Sequence, residues 1–235
     1  NLNFNPISNV GIVDIVVTKQ FKQPYISTIQ TTSPNGPYVN VTNNIISDLN
    51  GNNNSLADYS EIIDLDVDLF NLGGGNSQNL NLLLSSSDQY ITIIDSIEFV
   101  SAINSNQTIT TNNAFTFQVA DFVPDQHIAL FQLTITDSQG NVWNSNITVT
   151  LNSPVLNHLN FTVNDMILGN GNGKLDAGET LELVVEVDNI GHADSYNLIA
   201  TLSSLSGYIT FNNSSVTLPV LNTNQSQNLT FNITV

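Results

Sequence analysis

Apolar and polar residues alternate with a period of two along most of this chain, the signature of strands with one face buried. The alternation predicts strands at Tyr38–Asn43, Ile62–Asn71, Asn79–Ser85, Tyr90–Ile94, Ile97–Val100, Ala114–Ala120, Ile128–Thr136 and Val142–Leu151. Ile147-Thr148-Val149-Thr150-Leu151 alternates strictly, and Asp137-Ser138-Gln139-Gly140-Asn141 reads as the hairpin connection before it. No segment holds a helical period. Short strands with turns every 8–12 residues point to an all-β, Ig-like sandwich.

The pattern also recurs. At a constant separation of 118 residues, Asp58 matches Asp176, Glu61 matches Glu179, Asn71 matches Asn189 and Gly73 matches Gly191. Tyr90-Ile91-Thr92 likewise matches Tyr208-Ile209-Thr210, and backwards Tyr25 matches Trp143 and Ile29 matches Ile147. Self-similarity at a fixed period marks a repeat architecture. The chain therefore divides into residues 1–33, the tail of one repeat; 34–152, a complete repeat; and 153–235, the head of a third. Ser33-Pro34 and Ser153-Pro154 mark the boundaries, with little linker between. The expected fold is thus tandem Ig-like or fibronectin-like sandwiches of about 118 residues, arranged as semi-rigid beads. The third repeat stops where two closing strands should follow, which leaves an open edge. Asn1-Leu2-Asn3-Phe4 carries no signal-peptide pattern, so the chain reads as an excerpt of a longer one.

Composition narrows the function. Asn is roughly one residue in six, and with Ser, Thr and Gly it supplies the turns. Twenty acids against three bases (Lys19, Lys22, Lys174) give a net charge of −17. Such a surface repels nucleic acid and anionic membranes and favours divalent cations. Without Cys there is no disulfide and no thiolate ligand or nucleophile. No apolar run reaches membrane-spanning length, so membrane insertion is not expected.

The polar loops that open the repeats carry the most chemistry. Set against a calcium loop, Asn170, Asn172, Asp176 and Glu179 take ligand positions 3, 5, 9 and 12. Gly173 then takes the sharp turn, and the Lys174 carbonyl the seventh position. Calcium accepts six to eight hard oxygens, which short side chains on a tight loop can bring together. Position 1 holds Leu168, with Asp165 upstream as its substitute. In the complete repeat the set is Asp48, Asn50, Asn52, Asp58 and Glu61, with a two-residue insertion that breaks the spacing. The alternative is a loop of Asx turns closed on its own backbone.

Other constellations fail on geometry. His192, Asp194 and Ser195 lie within four residues on a connection, where no base can be held by one partner and reach the other. The glycines at 73–75 and 169–173 lack the Lys-Ser/Thr pair and helix of a phosphate loop. Glu61, Asp64, Asp66 and Asp68 alternate with Ile63, Leu65, Val67 and Leu69, the solvated face of a strand. No catalytic residue is assigned.

Two stretches resemble a known family. Gly171-Asn172-Gly173-Lys174-Leu175-Asp176-Ala177-Gly178-Glu179, running into Leu183, Val185, Asn189 and Gly191, is similar to the opening of Ig-like modules beside gingipain-type and subtilisin-type proteases. Pro124-Asp125-Gln126-His127, Phe131-Gln132-Leu133-Thr134 and Trp143 resemble the closing of the same modules, which also occur in large surface adhesins. The resemblance implies a non-catalytic stalk in a Bacteroidota protein, exported by the type IX pathway to the outer cell surface. Its partners would be neighbouring repeats and other surface proteins or glycans. A carbohydrate- or protein-binding module of an exported enzyme is the alternative, disfavoured by the single Trp and few Tyr. Asp95-Ser96-Ile97 matches the short O-glycosylation signal of those bacteria, which makes Ser96 the expected acceptor.

Overall fold

The computed structural model describes residues 11–32 and 34–235, in two compact units. The Ser33 side of the first repeat boundary lies outside the described residues. The first unit runs through Asp121 and resumes over Ile128–Thr150; the second is Phe122–His127 with Leu151–Val235. Among the described residues every regular element is a strand, and no helix is long and apolar enough to cross a membrane.

The first unit opens with an antiparallel hairpin, β1 (Ile12–Val17) and β2 (Tyr25–Gln30), that forms a sheet of its own. Then follow β3 (Val39–Ser47), β4 (Ala57–Asp58), β5 (Ile62–Asn71), β6 (Ser77–Ser85), β7 (Ile91–Asp95) and β8 (Ile97–Ile103). β9 (Thr108–Val119), β10 (His127–Thr136) and β11 (Val142–Asn152) complete it. They form two sheets, ordered β3-β5-β9-β7 and β4-β11-β10-β6-β8. Alternation decides the packing. Ile63, Leu65, Val67 and Leu69 of one sheet are fully buried, as are Leu80, Leu82, Phe131, Leu133 and Ile135 of the other. Phe117 and Phe131 meet across the core with ring centroids 4.9 Å apart. This is a sandwich held by its inward faces.

The acidic residues of β5 point the other way and are spoken for. Asp64 Oδ1 accepts from Thr116 Oγ1 at 2.7 Å, and Asp66 Oδ1 accepts from the Asn113 N–H at 2.6 Å. β9 is longer than the alternation predicts. Its first half pairs with β5 beyond an irregularity between Leu65 and Val67; exposure still alternates over Thr108–Asn112, but Thr and Asn fill every position there except Ile109, so no apolar alternation marks it.

The second unit comprises β12 (Leu156–Asn164), β13 (Thr180–Asn189), β14 (Ser195–Thr201), β15 (Thr210–Asn213), β16 (Ser215–Leu221) and β17 (Ser226–Thr234). One sheet is ordered β12-β13-β17-β15; β14 and β16 form a two-stranded second sheet.

Each unit contains one buried Asn that acts as a four-way tie. Asn71 Nδ2 donates to the Gly75 and Ile103 carbonyls at 2.8 and 3.0 Å. Its Oδ1 accepts the Tyr38 and Gly73 N–H groups, both at 3.0 Å. Asn189 repeats this with the Ala193 and Leu221 carbonyls and the Val155 and Gly191 N–H groups. The glycine two residues on is needed for clearance. A Cβ on Gly73 would lie 2.7 Å from the Pro37 carbonyl carbon, and one on Gly191 would lie 2.8 Å from that of Pro154.

Candidate functional site

The Asn-rich loops fold into the same constellation twice. In the first, the β3–β5 connection, Asp48 is almost fully buried and accepts the Asn54 N–H on Oδ2 at 2.8 Å and the Ser55 N–H on Oδ1 at 3.0 Å. Asn52 and Asn54 donate from Nδ2 to Asp58 Oδ2 at 2.8 and 2.9 Å. Glu61 Oε1 accepts the Asn52 N–H at 2.9 Å and Oε2 the Asp58 N–H at 3.2 Å. Asn52 Oδ1 and Asn54 Oδ1 each turn the backbone two residues on, as Asx turns do.

In the second loop, between β12 and β13, Asp165 Oδ2 accepts the Asn172 N–H at 2.9 Å and its Oδ1 the Gly173 N–H at 3.1 Å. Asn170 and Asn172 donate to Asp176 Oδ2 at 2.9 and 2.6 Å, and Glu179 Oε1 accepts the Asn170 N–H at 3.0 Å. Lys174 gives its N–H to Asn172 Oδ1 at 2.8 Å. The backbone matches as well: Asn53, Ser55 and Ser60 hold positive φ where Gly171, Gly173 and Gly178 do in the other loop.

The sequence-level ligand sets need two corrections. Asn50 is exposed and outside the cluster. The Gly51 N–H closes onto the Asp48 carbonyl at 2.7 Å, a turn that puts Asn50 at its outer corner and brings Asn54 inward. Nor does an insertion break the first loop. From Asn52 to Glu61 it matches Asn170 to Glu179 residue for residue, and only the Asp48–Asn52 step is one residue shorter than Asp165–Asn170. Asp165, not Leu168, supplies the leading carboxylate; Leu168 is exposed. Asn54 was findable, because the 118-residue register pairs it with Asn172. A template borrowed from helical calcium loops hid it.

The electrostatics differ between the loops. Burial pushes the Glu61 carboxyl above its ordinary value, opposed by the Asn52 and Asp58 N–H groups and reinforced by the negative charges of Asp58 and Asp48. Asp176 is held below its ordinary value by the Asn170 and Asn172 amides, with Lys174 adding to them. Glu179 Oε2 is buried with no hydrogen-bond partner. Among the described residues no three His, Asp or Glu side chains stand close enough to hold a metal ion by themselves. The carboxamides of each loop lie between its carboxylates.

A raised glutamate pKa means the folded state binds the proton more tightly than the unfolded chain does. Its contribution therefore disfavours folding progressively as pH climbs from the ordinary value through the raised one. In chelator, urea unfolding of the first unit should lose stability across that interval. Glu61→Gln should flatten that part of the profile. An identical slope in the variant would show that Glu61 is not its source.

The remaining singled-out residues are dispersed. His192 Nδ1 lies 2.7 Å from Asp125 Oδ2, Asp194 Oδ1 accepts the Thr223 N–H at 2.8 Å, and Ser195 is buried in β14. Asp125 Oδ1 also accepts the Ser153 and His192 N–H groups. Burial would raise the Asp125 carboxyl, but the His192 and Ser153 hydrogen bonds outweigh it and hold it low. Ser96 is half-buried at the point where the chain leaves the sheet of β7 for that of β8, and its carbonyl accepts the Leu84 N–H at 2.9 Å.

No family model and no curated protein matches the chain. Among solved structures it is similar to a protein of unknown function from Porphyromonas gingivalis W83, 13% identical over 83% of this chain and 83% of that one, with a TM-score of 0.28. It is also similar to the secreted serine protease VesC from Vibrio cholerae, 12% identical over 85% of this chain and 45% of that one, with a TM-score of 0.28. At TM-scores this low, neither likeness bears on what the chain does.

Proposed function

We propose that this chain is a non-catalytic run of tandem Ig-like modules, part of the stalk of a secreted bacterial surface protein, and that each polar loop seats a calcium ion. The observation that carries the proposal is the duplication of the loop. Five equivalent side chains are assembled by equivalent bonds ahead of β5 and again ahead of β13. A catalytic site has no reason to recur with each module, whereas a structural ion does.

The residues fit the ion. Asp48, Asp58 and Glu61, with Asn52 and Asn54, offer hard oxygens; so do Asp165, Asp176 and Glu179 with Asn170 and Asn172. Three carboxylates share each loop, and the whole chain has three basic side chains to set against twenty acids. The buried, unpartnered Glu179 Oε2 lacks a positive neighbour that a cation would supply. Calcium would stiffen the segment leading into the central strand of each unit, a useful property in a stalk.

Thermal unfolding in millimolar calcium against chelator tests this. Calcium at ten times its dissociation constant adds about 1.4 kcal/mol to stability, a rise of several degrees. The double variant Glu61→Gln/Glu179→Gln should lose most of that rise. Equal unfolding with and without calcium in the unaltered chain would overturn the proposal.

A further inference from the structure

Four Asn residues of this chain are followed directly by Gly: Asn35, and within the polar loops Asn50, Asn170 and Asn172. An Asn side chain can cyclise onto the backbone nitrogen of the next residue, which attacks its carbonyl carbon, Cγ. Gly favours this step because it has no side chain to shield the nitrogen and its backbone bends freely. The three loop sites differ in whether that nitrogen is available.

At Asn50 it is engaged, because the Gly51 N–H is tied to the Asp48 carbonyl at 2.7 Å. At Asn172 the Gly173 N–H points at both oxygens of the buried Asp165, at 3.1 and 3.2 Å. A neighbouring carboxylate opposes the amide anion that must form before attack. Asn170 is different. Asn170 and Gly171 are exposed, and among the described residues no acceptor takes the Gly171 N–H. The carbonyl under attack is polarised as well. Asn170 Oδ1 accepts the Asn172 N–H at 3.0 Å, a donor placed where negative charge develops. In the first loop the matching Asn52 is followed by Asn53, whose side chain screens the nitrogen.

We infer that Asn170 is a self-modifying position of the second loop, converting spontaneously from amide to acid. The Gly171 nitrogen bonds to Cγ of Asn170, and the Cγ–Nδ2 bond breaks. The amide leaves as ammonia, carrying away the proton of the Gly171 nitrogen. Water then opens the cyclic imide at one of its two carbonyls. One opening leaves an aspartate on the normal backbone; the other routes the backbone through the side chain as isoaspartate. Either product loses the amide that donates to Asp176 Oδ2 at 2.9 Å and gains a carboxylate. That makes a fourth beside Asp165, Asp176 and Glu179, with no counterpart in the first loop. The calcium affinities of the two loops therefore diverge as the molecule ages. That consequence rests on the proposed calcium seat; the conversion itself does not.

Incubation of the full chain in chelator at mildly alkaline pH, followed by peptide mass mapping, tests the conversion. Acid should accumulate at position 170 roughly tenfold faster than at Asn52, because no side chain shields the Gly171 nitrogen. Gly171→Asn copies the Asn52-Asn53 pair at no backbone cost, since Asn53 holds φ 59° where Gly171 holds 76°. It should slow Asn170 to the rate of Asn52, and Asn53→Gly should speed Asn52 in turn. Equal rates at Asn170 and Asn52 in the unaltered chain would overturn the inference. So would an Asn170 rate unmoved by Gly171→Asn, or conversion concentrated at Asn172. Chelator keeps the ion out of the experiment, so none of these results touches the calcium-dependent unfolding that tests the proposed function.

Discussion

Asn71→Ala should destabilise the first unit by about 4 kcal/mol, the largest loss expected from any polar side chain in it. The amide is fully buried and its four bonds tie together the start of β3, the turn after β5 and the end of β8. Alanine removes all four at once, leaving the Tyr38 and Gly73 N–H groups and the Gly75 and Ile103 carbonyls short of a partner. Each orphaned buried group costs about 1–3 kcal/mol in principle, less where a second bond or water compensates. Asn71→Asp should do no better at neutral pH, because it keeps the two acceptors but aims a carboxylate at two carbonyls. Trp143, the single Trp, lies in the first unit, so urea unfolding followed by its fluorescence reads the loss directly. A change below about 1 kcal/mol would mean that the tie is replaced readily by solvent.

Asp48→Ala should cost about 3 kcal/mol and remove the calcium response of the first unit. The carboxylate is almost fully buried, and both its oxygens accept loop N–H groups. Hydrogen bonds to a charged acceptor are about twice as strong as neutral ones. They also hold Asn53 and Ser55 at positive φ, where non-glycine residues are uncommon. Without Asp48 the loop has little reason to keep that shape, and Asn52, Asn54 and Asp58 lose their relative positions. Asp48→Asn separates the two effects. It keeps an acceptor for the loop and removes a charge, so the fold should be largely retained while calcium binding weakens about tenfold or more. Isothermal titration with calcium alone, beside urea unfolding in chelator, measures both. Unchanged calcium affinity in Asp48→Asn would exclude this carboxylate from the site.

Much of the fold is written in local pattern. The alternation of Ile62–Asn71 marks β5 from end to end, because a strand between two others in its sheet must bury every second side chain. β10 and β11 are equally legible for the same reason. β4 is too short to show a period, and the first half of β9 is hidden because Thr and Asn fill all of Thr108–Asn113 but Ile109, leaving no apolar face to read. The separation of 118 residues, read from identities such as Asn71 and Asn189, locates equivalent positions without any coordinates.

For the polar loops, sequence alone determined the participants Asp58, Glu61, Asp176 and Glu179, since the acids recur at fixed spacing beside the Asn pairs. It also named Asp48 and Asp165 as leading carboxylates, but it placed Asn50 in the set and passed over Asn54. The exchange of Asn54 for Asn50 depends on the turn closed by the Gly51 N–H, a property of the folded backbone. The four-way role of Asn71 belongs there too. Its partners at Tyr38 and Ile103 are distant in sequence, and only packing two sheets together brings them to one amide. Alternation specifies which face of a strand is buried. Which polar atoms meet at the strand ends is decided by tertiary closure, where every buried donor and acceptor must find a partner.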